Sequence, residues 1–325
     1  MGERREEVTG NGPRRRGRGP AIGDPLPSWR AGATKEILQA FVRAVTTEGS
    51  ADYVAPPDRV ATFDNDGTLW VEHPTFVQGF FLEARVREMV RDDPTLAKDP
   101  AFAAVLSGDH AALHALGKRA LVELAFRVHT GMTTGESERI AADWFERARH
   151  PRFARPFTEC IYQPMRELMD HLRASGFAVY IVTGGGVDLV RSISEATYGV
   201  PRSHVIGSAT RLRFEVDGDA AVLRKLPELA TFDDREAKPV NLQAHIGRRP
   251  ILAFGNSDGD IAMLEYATGA PGRRLGLLLH HDDAEREYAY DRDFALSPLR
   301  EGLELAPERG WTIVSMKRDF ARLFP

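Results

Sequence analysis

Two aspartates stand one residue apart at the end of a short apolar run: Arg59–Phe63 (RVATF) leads directly into Asp64-Asn65-Asp66-Gly67-Thr68. Carboxylates at i and i+2 beyond a buried strand can share a divalent cation; alternatively, one can act as a nucleophile and the other as an acid–base. The same residue types also form plain turns. A calcium loop fits poorly. It needs glycine at its sixth position and a helix before it, whereas here the sixth position is Leu69 and a strand precedes.

Three further clusters follow apolar runs or open helices. Thr183-Gly184-Gly185-Gly186 comes after FAVYIV (177–182) and offers a hydroxyl and unhindered amides suited to an anion. It matches neither the phosphate loop Gly-x4-Gly-Lys-Ser/Thr nor the glycine spacing of a dinucleotide fingerprint. Lys238 stands before Pro239, which can start a helix. Gly255-Asn256-Ser257-Asp258-Gly259-Asp260 follows PILAF (250–254) and is rich in the oxygen ligands a hard cation takes; capping residues at a helix start give the same composition.

The elements that must position these residues alternate. Helical patterns cover 164–175, 187–198, a short stretch from Lys238 to Gly247, and a segment from Ile261; strands cover 177–182, 204–206, 250–254 and 275–280. A hairpin is expected at Asp217-Gly218. Such alternation implies parallel βαβ units, whose ligands bind beyond the strand ends at the topological switch point. Between the first strand and Pro164 the pattern is helical almost throughout: 76–91, 110–128, and a helix opened by a Thr133/Glu136 capping box. The expected fold is therefore α/β, a Rossmann-like doubly wound parallel sheet with an inserted all-helical cap. The expected division is a disordered basic tail at 1–28, a core at 29–75 and 159–325, and the cap at 76–158.

Composition bounds the rest. The 325 residues are 42% apolar and 28% charged, with 43 basic and 47 acidic side chains. A mild acidic balance argues against nucleic acid as a main partner. The balance hides a split: six arginines and three glutamates fall in residues 1–20, so the remaining chain is near −7. No apolar stretch follows those arginines as an export signal requires, and no run is long enough to span a bilayer, so the expected location is cytoplasmic. One cysteine, Cys160, excludes an intrachain disulfide and any multi-cysteine metal site. What remains is chemistry built from hard oxygen ligands.

Taken together, the four clusters resemble in order and strand-end position the four motifs of the haloacid dehalogenase superfamily, over about residues 59–265. The helical insert and the hairpin near 209–223 resemble its phosphoserine-phosphatase-like branch. The resemblance implies roles. Asp64 matches an aspartate nucleophile that forms an aspartyl-phosphate, and Asp66 the general acid that then activates water. Thr183 and Gly184 would bind the phosphoryl group. Lys238 would offset its charge and that of Asp64. Mg2+ would be held by Asp64, Asp66, Asn256 and Asp260. A carboxylate attacking a phosphate dianion meets repulsion of about 4 kcal/mol per charge pair at 4 Å and an effective dielectric near 20, so such cations are needed.

Asn256 departs from the pattern, because the superfamily motif has an aspartate there. An amide oxygen brings no charge, so weaker metal affinity is expected, with Asp258 as the reserve ligand. Asp66 favours a phosphatase over a dehalogenase, since an alkoxide needs protonation and a halide does not. The expected substrate is a small phosphorylated metabolite; Glu72 or His73 would reach one of its polar groups. A phosphomutase uses the same residues, and a non-catalytic phosphate-binding scaffold draws support from Asn256 alone. Arg85 and Arg87 read as solvated. His280-His281-Asp282-Asp283 reads as a polar strand end and a cap, and Cys160, Trp144 and Phe145 read as packing.

Overall fold

The computed structural model describes residues 23–109 and 115–325. The Arg-rich stretch at 1–20 and the start of the helix expected at 110 lie outside the described residues. Eight strands form one sheet in the order β4-β3-β2-β1-β5-β6, with β7 and β8 both pairing with β6. The strands are β1 (Val60–Phe63), β2 (Ala178–Gly186), β3 (Val205–Asp217), β4 (Ala220–Thr231), β5 (Leu252–Gly255), β6 (Leu275–Asp282), β7 (Ala289–Tyr290) and β8 (Thr312–Ser315). β3, β2, β1, β5, β6 and β8 run parallel, while β4 and β7 are antiparallel to their neighbours. The chain steps from β1 through β2 to β3 on one side, then returns to place β5 on the other side of β1. The switch point therefore lies beside the tip of β1, which is where Asp64 stands.

Central strands buried on both faces explain the continuous apolar runs at β1 and β5. One face packs Phe41 of helix Ala33–Thr46 and Met165, Leu168 and Leu172 of helix Gln163–Ala174. The opposite face packs Leu242, Met263 and Leu264 from helices Ala237–Ile246 and Ile261–Thr268. Burial of each such side chain contributes about 1.5–3 kcal/mol.

Between β1 and β2 the described residues hold only helices: Val77–Asp92, Pro100–Leu106, Lys118–Arg127 and Thr134–Arg147, with short single turns. They have a small core of their own, with Leu82, Val86, Phe102, Val105 and Leu124 buried together. The Thr133/Glu136 capping box forms as expected. Among the described residues, no helix is long and apolar enough to cross a membrane.

Several expectations need correction. Two residues of the expected tail pack against the core: Leu26 is fully buried, and Ser28 is held by Glu167 through its amide (2.8 Å) and hydroxyl (2.6 Å). The helix expected over 187–198 is two, Val187–Arg191 and Ser194–Tyr198, because the Ser192 hydroxyl turns back to the Leu189 carbonyl and Ile193 leaves helical geometry. β2 runs on through the three glycines, with a register shift against β3 between Thr183 and Gly186. Arg85 is buried and paired with Glu88; Arg87 is exposed and paired with Glu83, as expected. Cys160 is buried, and burial pushes its thiol up to about 12, which fits packing.

Candidate active site at the strand tips

The Asp64 amide continues the ladder to the Phe254 carbonyl at 2.9 Å, so β5 fixes the backbone of the first carboxylate. The Asp64 side chain receives the Lys238 ammonium at 2.7 Å. Lys238 sits in the first turn of helix Ala237–Ile246, is 1% exposed, and also donates to Asp260 (2.6 Å) and the Val182 carbonyl (3.1 Å). Burial works to lower its pKa, but Asp260 and Asp64 outweigh it and hold the ammonium above its ordinary value. Asp64 is raised to about 7, first by burial and then by Asp260, against the pull of Lys238.

Asp66 lies alongside. Its carboxylate accepts from Trp70 Nε1 at 2.9 Å and from the Thr183 hydroxyl at 3.4 Å. Burial raises its pKa, favouring the protonated form that a general acid needs. Between the two aspartates and Trp70 the chain turns at Gly67, whose φ is +71°. A Cβ there would collide with the side chains of Asn256 and Glu72, so both the dihedral and the space demand glycine. The Gly67 carbonyl accepts from His281 Nε2 at 2.7 Å, and Glu287 faces the other ring nitrogen at 3.2 Å.

On β2 the Thr183 hydroxyl accepts from the Gly185 amide at 3.0 Å, and the Gly186 amide donates to Gln78 Oε1 at 2.7 Å. Gln78 belongs to the first insert helix, so it ties the insert to the glycine run. A second insert residue reaches further. Lys118 opens helix Lys118–Arg127 and passes so close over Gly184 that a Cβ there would stand 2.8 Å from its Cε. Its ammonium is held by Asp234 at 2.7 Å and is raised in pKa, burial notwithstanding, by that carboxylate. Gln78, Lys118, Gly184 and Gly185, with Asp64, Asp66, Glu72 and Ser257, line a cavity that has an apolar side formed by Phe76, Leu82, Leu121 and Val122.

The structure thus brings Asp64, Asp66, Thr183, Gly184, Lys238, Asn256, Asp260 and Glu72 together. It does not bring Asp258 or His73. Both Asp258 oxygens are taken by the backbone of a distant segment, the amides of Arg300 and Gly302, so Asp258 caps the approach to helix Glu301–Arg309 instead of serving as a reserve ligand. His73 packs its ring against Tyr288, Tyr290 and Phe294 and does not line the cavity. Asp260 is engaged on both oxygens: Lys238 takes one, and the amides of Asn256 and Ser257 take the other. It positions the lysine and the loop.

Sequence reasoning missed Lys118, Trp70 and Gln78, and it read His281 as a polar strand end without its contact to Gly67. Trp70 was within reach of it, four residues beyond Asp66. Lys118 and His281 meet their partners across 116 and 214 residues, and no local pattern marks them.

Among the described residues, no three acidic, histidine or cysteine side chains converge on one point. Magnesium does not require that; it is usually held by one or two carboxylates plus waters and substrate oxygens. The oxygens of Asp64, Asp66 and Asn256 are of the right kind. Beside them, Glu72 Oε2 is buried without a hydrogen-bond partner among the described residues, so one more oxygen of the right kind is open to a ligand. The donor set fits a hard divalent cation.

The family described as haloacid dehalogenase-like hydrolase matches residues 61–265. Phosphorylcholine phosphatase of Pseudomonas aeruginosa is 25% identical over 179 residues, 48% of this chain and 51% of that protein. The chain thus spans about half the length of this curated relative. Two solved structures share the fold at a TM-score of 0.52. One, a protein of unknown function from Bordetella pertussis, is 18% identical, with 79% of this chain and 97% of that one covered. The other, a functionally unknown protein from Anaerococcus prevotii, is 16% identical, with 85% and 90% covered.

Proposed function

The chain belongs to the haloacid dehalogenase-like hydrolases, and within that family we propose that it is a magnesium-dependent phosphomonoester hydrolase acting on a small phosphorylated metabolite. One observation carries this reading. A carboxylate at the switch point, Asp64, is held by a fully buried ammonium, and a second carboxylate, Asp66, is kept towards its protonated form beside it. The named activity of the Pseudomonas relative supports the same class.

An Asp64 oxygen attacks phosphorus while the ester P–O bond breaks, and Asp66 gives its proton to the departing alkoxide. Asp66, now ionised, takes a proton from the water that attacks the aspartyl-phosphate, which releases phosphate and restores Asp64. Trp70 fixes the Asp66 carboxyl for both transfers. Thr183 and the Gly184 backbone receive the phosphoryl oxygens. Lys238 and Lys118 stand on two sides of the transferring group and offset its charge. Magnesium, when bound among the Asp64, Asp66 and Asn256 oxygens, supplies further charge compensation. The apolar wall of Phe76, Leu82, Leu121 and Val122 faces the leaving group and excludes water from it.

The test is a panel of phosphate monoesters assayed with magnesium and again after chelation. Phosphate release from at least one small ester, lost with EDTA and in Asp64→Asn, is expected. No release from any ester by well-folded protein would end this reading.

A further inference from the structure

We propose that Glu72 takes over the role of the carboxylate missing at Asn256: it is the anionic ligand that, paired with the Asn256 amide oxygen, holds the divalent cation. This rests on the metal-dependent reading above.

The argument starts from the neutral residue. Asn256 occupies the loop position where a carboxylate is expected, and Asp258 is turned away to cap another segment. A carboxyl group is nonetheless present. Glu72 Oε1 lies 2.6 Å from Asn256 Nδ2, and Glu72 is completely buried. A carboxylate is not placed in such a spot for stability alone. Lys238 bonds Asp64 and Asp260, and Lys118 is held by Asp234. An ionised Glu72 therefore has no ion-pair partner among the described side chains.

The atoms of Glu72 divide in a telling way. Oε1 accepts from Asn256 and from the Tyr290 hydroxyl at 3.0 Å, which fixes the side chain. Oε2 has no hydrogen-bond partner among the described residues although it is buried in the site. That oxygen is where a ligand belongs. The Asn256 amide can join it. Its Oδ1 now accepts from the Thr68 hydroxyl at 3.1 Å. A hydroxyl both donates and accepts, so the amide can turn over and keep Thr68 as a partner. Oδ1 then faces Glu72, and the two residues present adjacent oxygens to one ion. Gly67 leaves the room for this pairing.

The competing assignment is that Glu72 binds a positively charged group of the substrate. The two are separated by measuring metal binding without substrate. Magnesium is titrated by calorimetry into the purified full-length protein, as wild type, Glu72→Gln, Glu72→Asp, Asn256→Asp and the double variant Glu72→Gln/Asn256→Asp. Loss of the anionic ligand should weaken binding about 10–100-fold in Glu72→Gln, the range seen when a metal's supporting shell is disturbed. Glu72→Asp, which keeps the charge with a shorter reach, should fall between. The double variant should recover to within about threefold of wild type, because it moves the charge back to the loop. Wild-type magnesium affinity in both Glu72→Gln and Glu72→Asp would overturn the proposal, and so would a double variant no better than Glu72→Gln. A higher KM for amine-bearing esters with unchanged magnesium affinity would hand Glu72 to the substrate instead. If the wild type itself binds no magnesium, it is the metal-dependent reading that fails.

Discussion

Two ammonium groups face the same buried carboxylates from different parts of the molecule. Lys238 comes from the sheet's own layer, four residues after Asp234, and is locked by Asp64, Asp260 and the Val182 carbonyl. Lys118 comes from the helical insert, is partly exposed, and has Asp234 as its one ion-pair partner among the described residues. The first is pre-organised: its charge is in place before any substrate arrives, as electrostatic catalysis requires. The second has one ion pair and the Phe76 ring 5.8 Å from its ammonium, and its position depends on the insert's docking. On the proposed function, the core would set up the chemistry and the insert would complete it.

The largest effect should come from breaking the locked side. Lys238→Met leaves Asp64 and Asp260 buried without their cation, and removing one partner of such a group costs about 3–5 kcal/mol. Urea melts should record that loss, and kcat should fall beyond about 10³-fold. Asp66→Asn should lower kcat by about 10²–10³-fold for alkyl phosphates and less for p-nitrophenyl phosphate, whose leaving group needs no proton. Equal losses for both esters would remove Asp66 from acid catalysis.

The insert side should break more gently. Lys118→Ala should cost about 10–100-fold in kcat/KM, as for one electrostatic donor, while stability changes by less than about 1 kcal/mol, because the Lys118–Asp234 pair is partly solvated. If Lys118→Ala were as damaging to folding as Lys238→Met, the contrast between the two lysines would be wrong.

The last effect is a pH dependence of stability confined to the insert, without a change at the carboxylates themselves. His129 follows helix Lys118–Arg127, stacks on Phe81, and has Nδ1 2.8 Å from the Ala125 carbonyl. Burial lowers its pKa to about 4. The folded state therefore binds fewer protons than the unfolded state between about pH 4 and 6.5. This contribution is complete above 6.5, declines below it, and is gone near 4, for a total of about 3 kcal/mol. Hydrogen exchange at pH 7 and pH 5 should show the insert helices losing protection before β1, β2 and β5.

The same contrast explains what could be read from the sequence. Motifs at strand tips are local: a buried run followed by Asp64-Asn65-Asp66, or by Thr183 and glycines, names its own position in the fold. The parallel sheet and the hairpin at Gly218 were legible for the same reason. Direction was not. Nothing local distinguishes Asp258, which turns towards Arg300, from Asp260, which turns inwards to Lys238. Nor does helical periodicity say that Lys118 leaves its helix to reach Asp234, or that Arg85 is buried while Arg87 is not. Those outcomes depend on contacts across dozens to hundreds of residues. Leu26 and Ser28 likewise read as the end of a tail, because the partner of Ser28, Glu167, lies 139 residues away.

The central claim is that Asp64 carries the phosphoryl group. Purified protein, mixed rapidly with a radiolabelled small phosphate ester and magnesium and then quenched in acid, should retain label on the peptide that contains Asp64, and hydroxylamine should release it. Asp64→Asn should retain none. Steady turnover with no labelled protein at any quench time, or equal labelling of Asp64→Asn, would contradict the account.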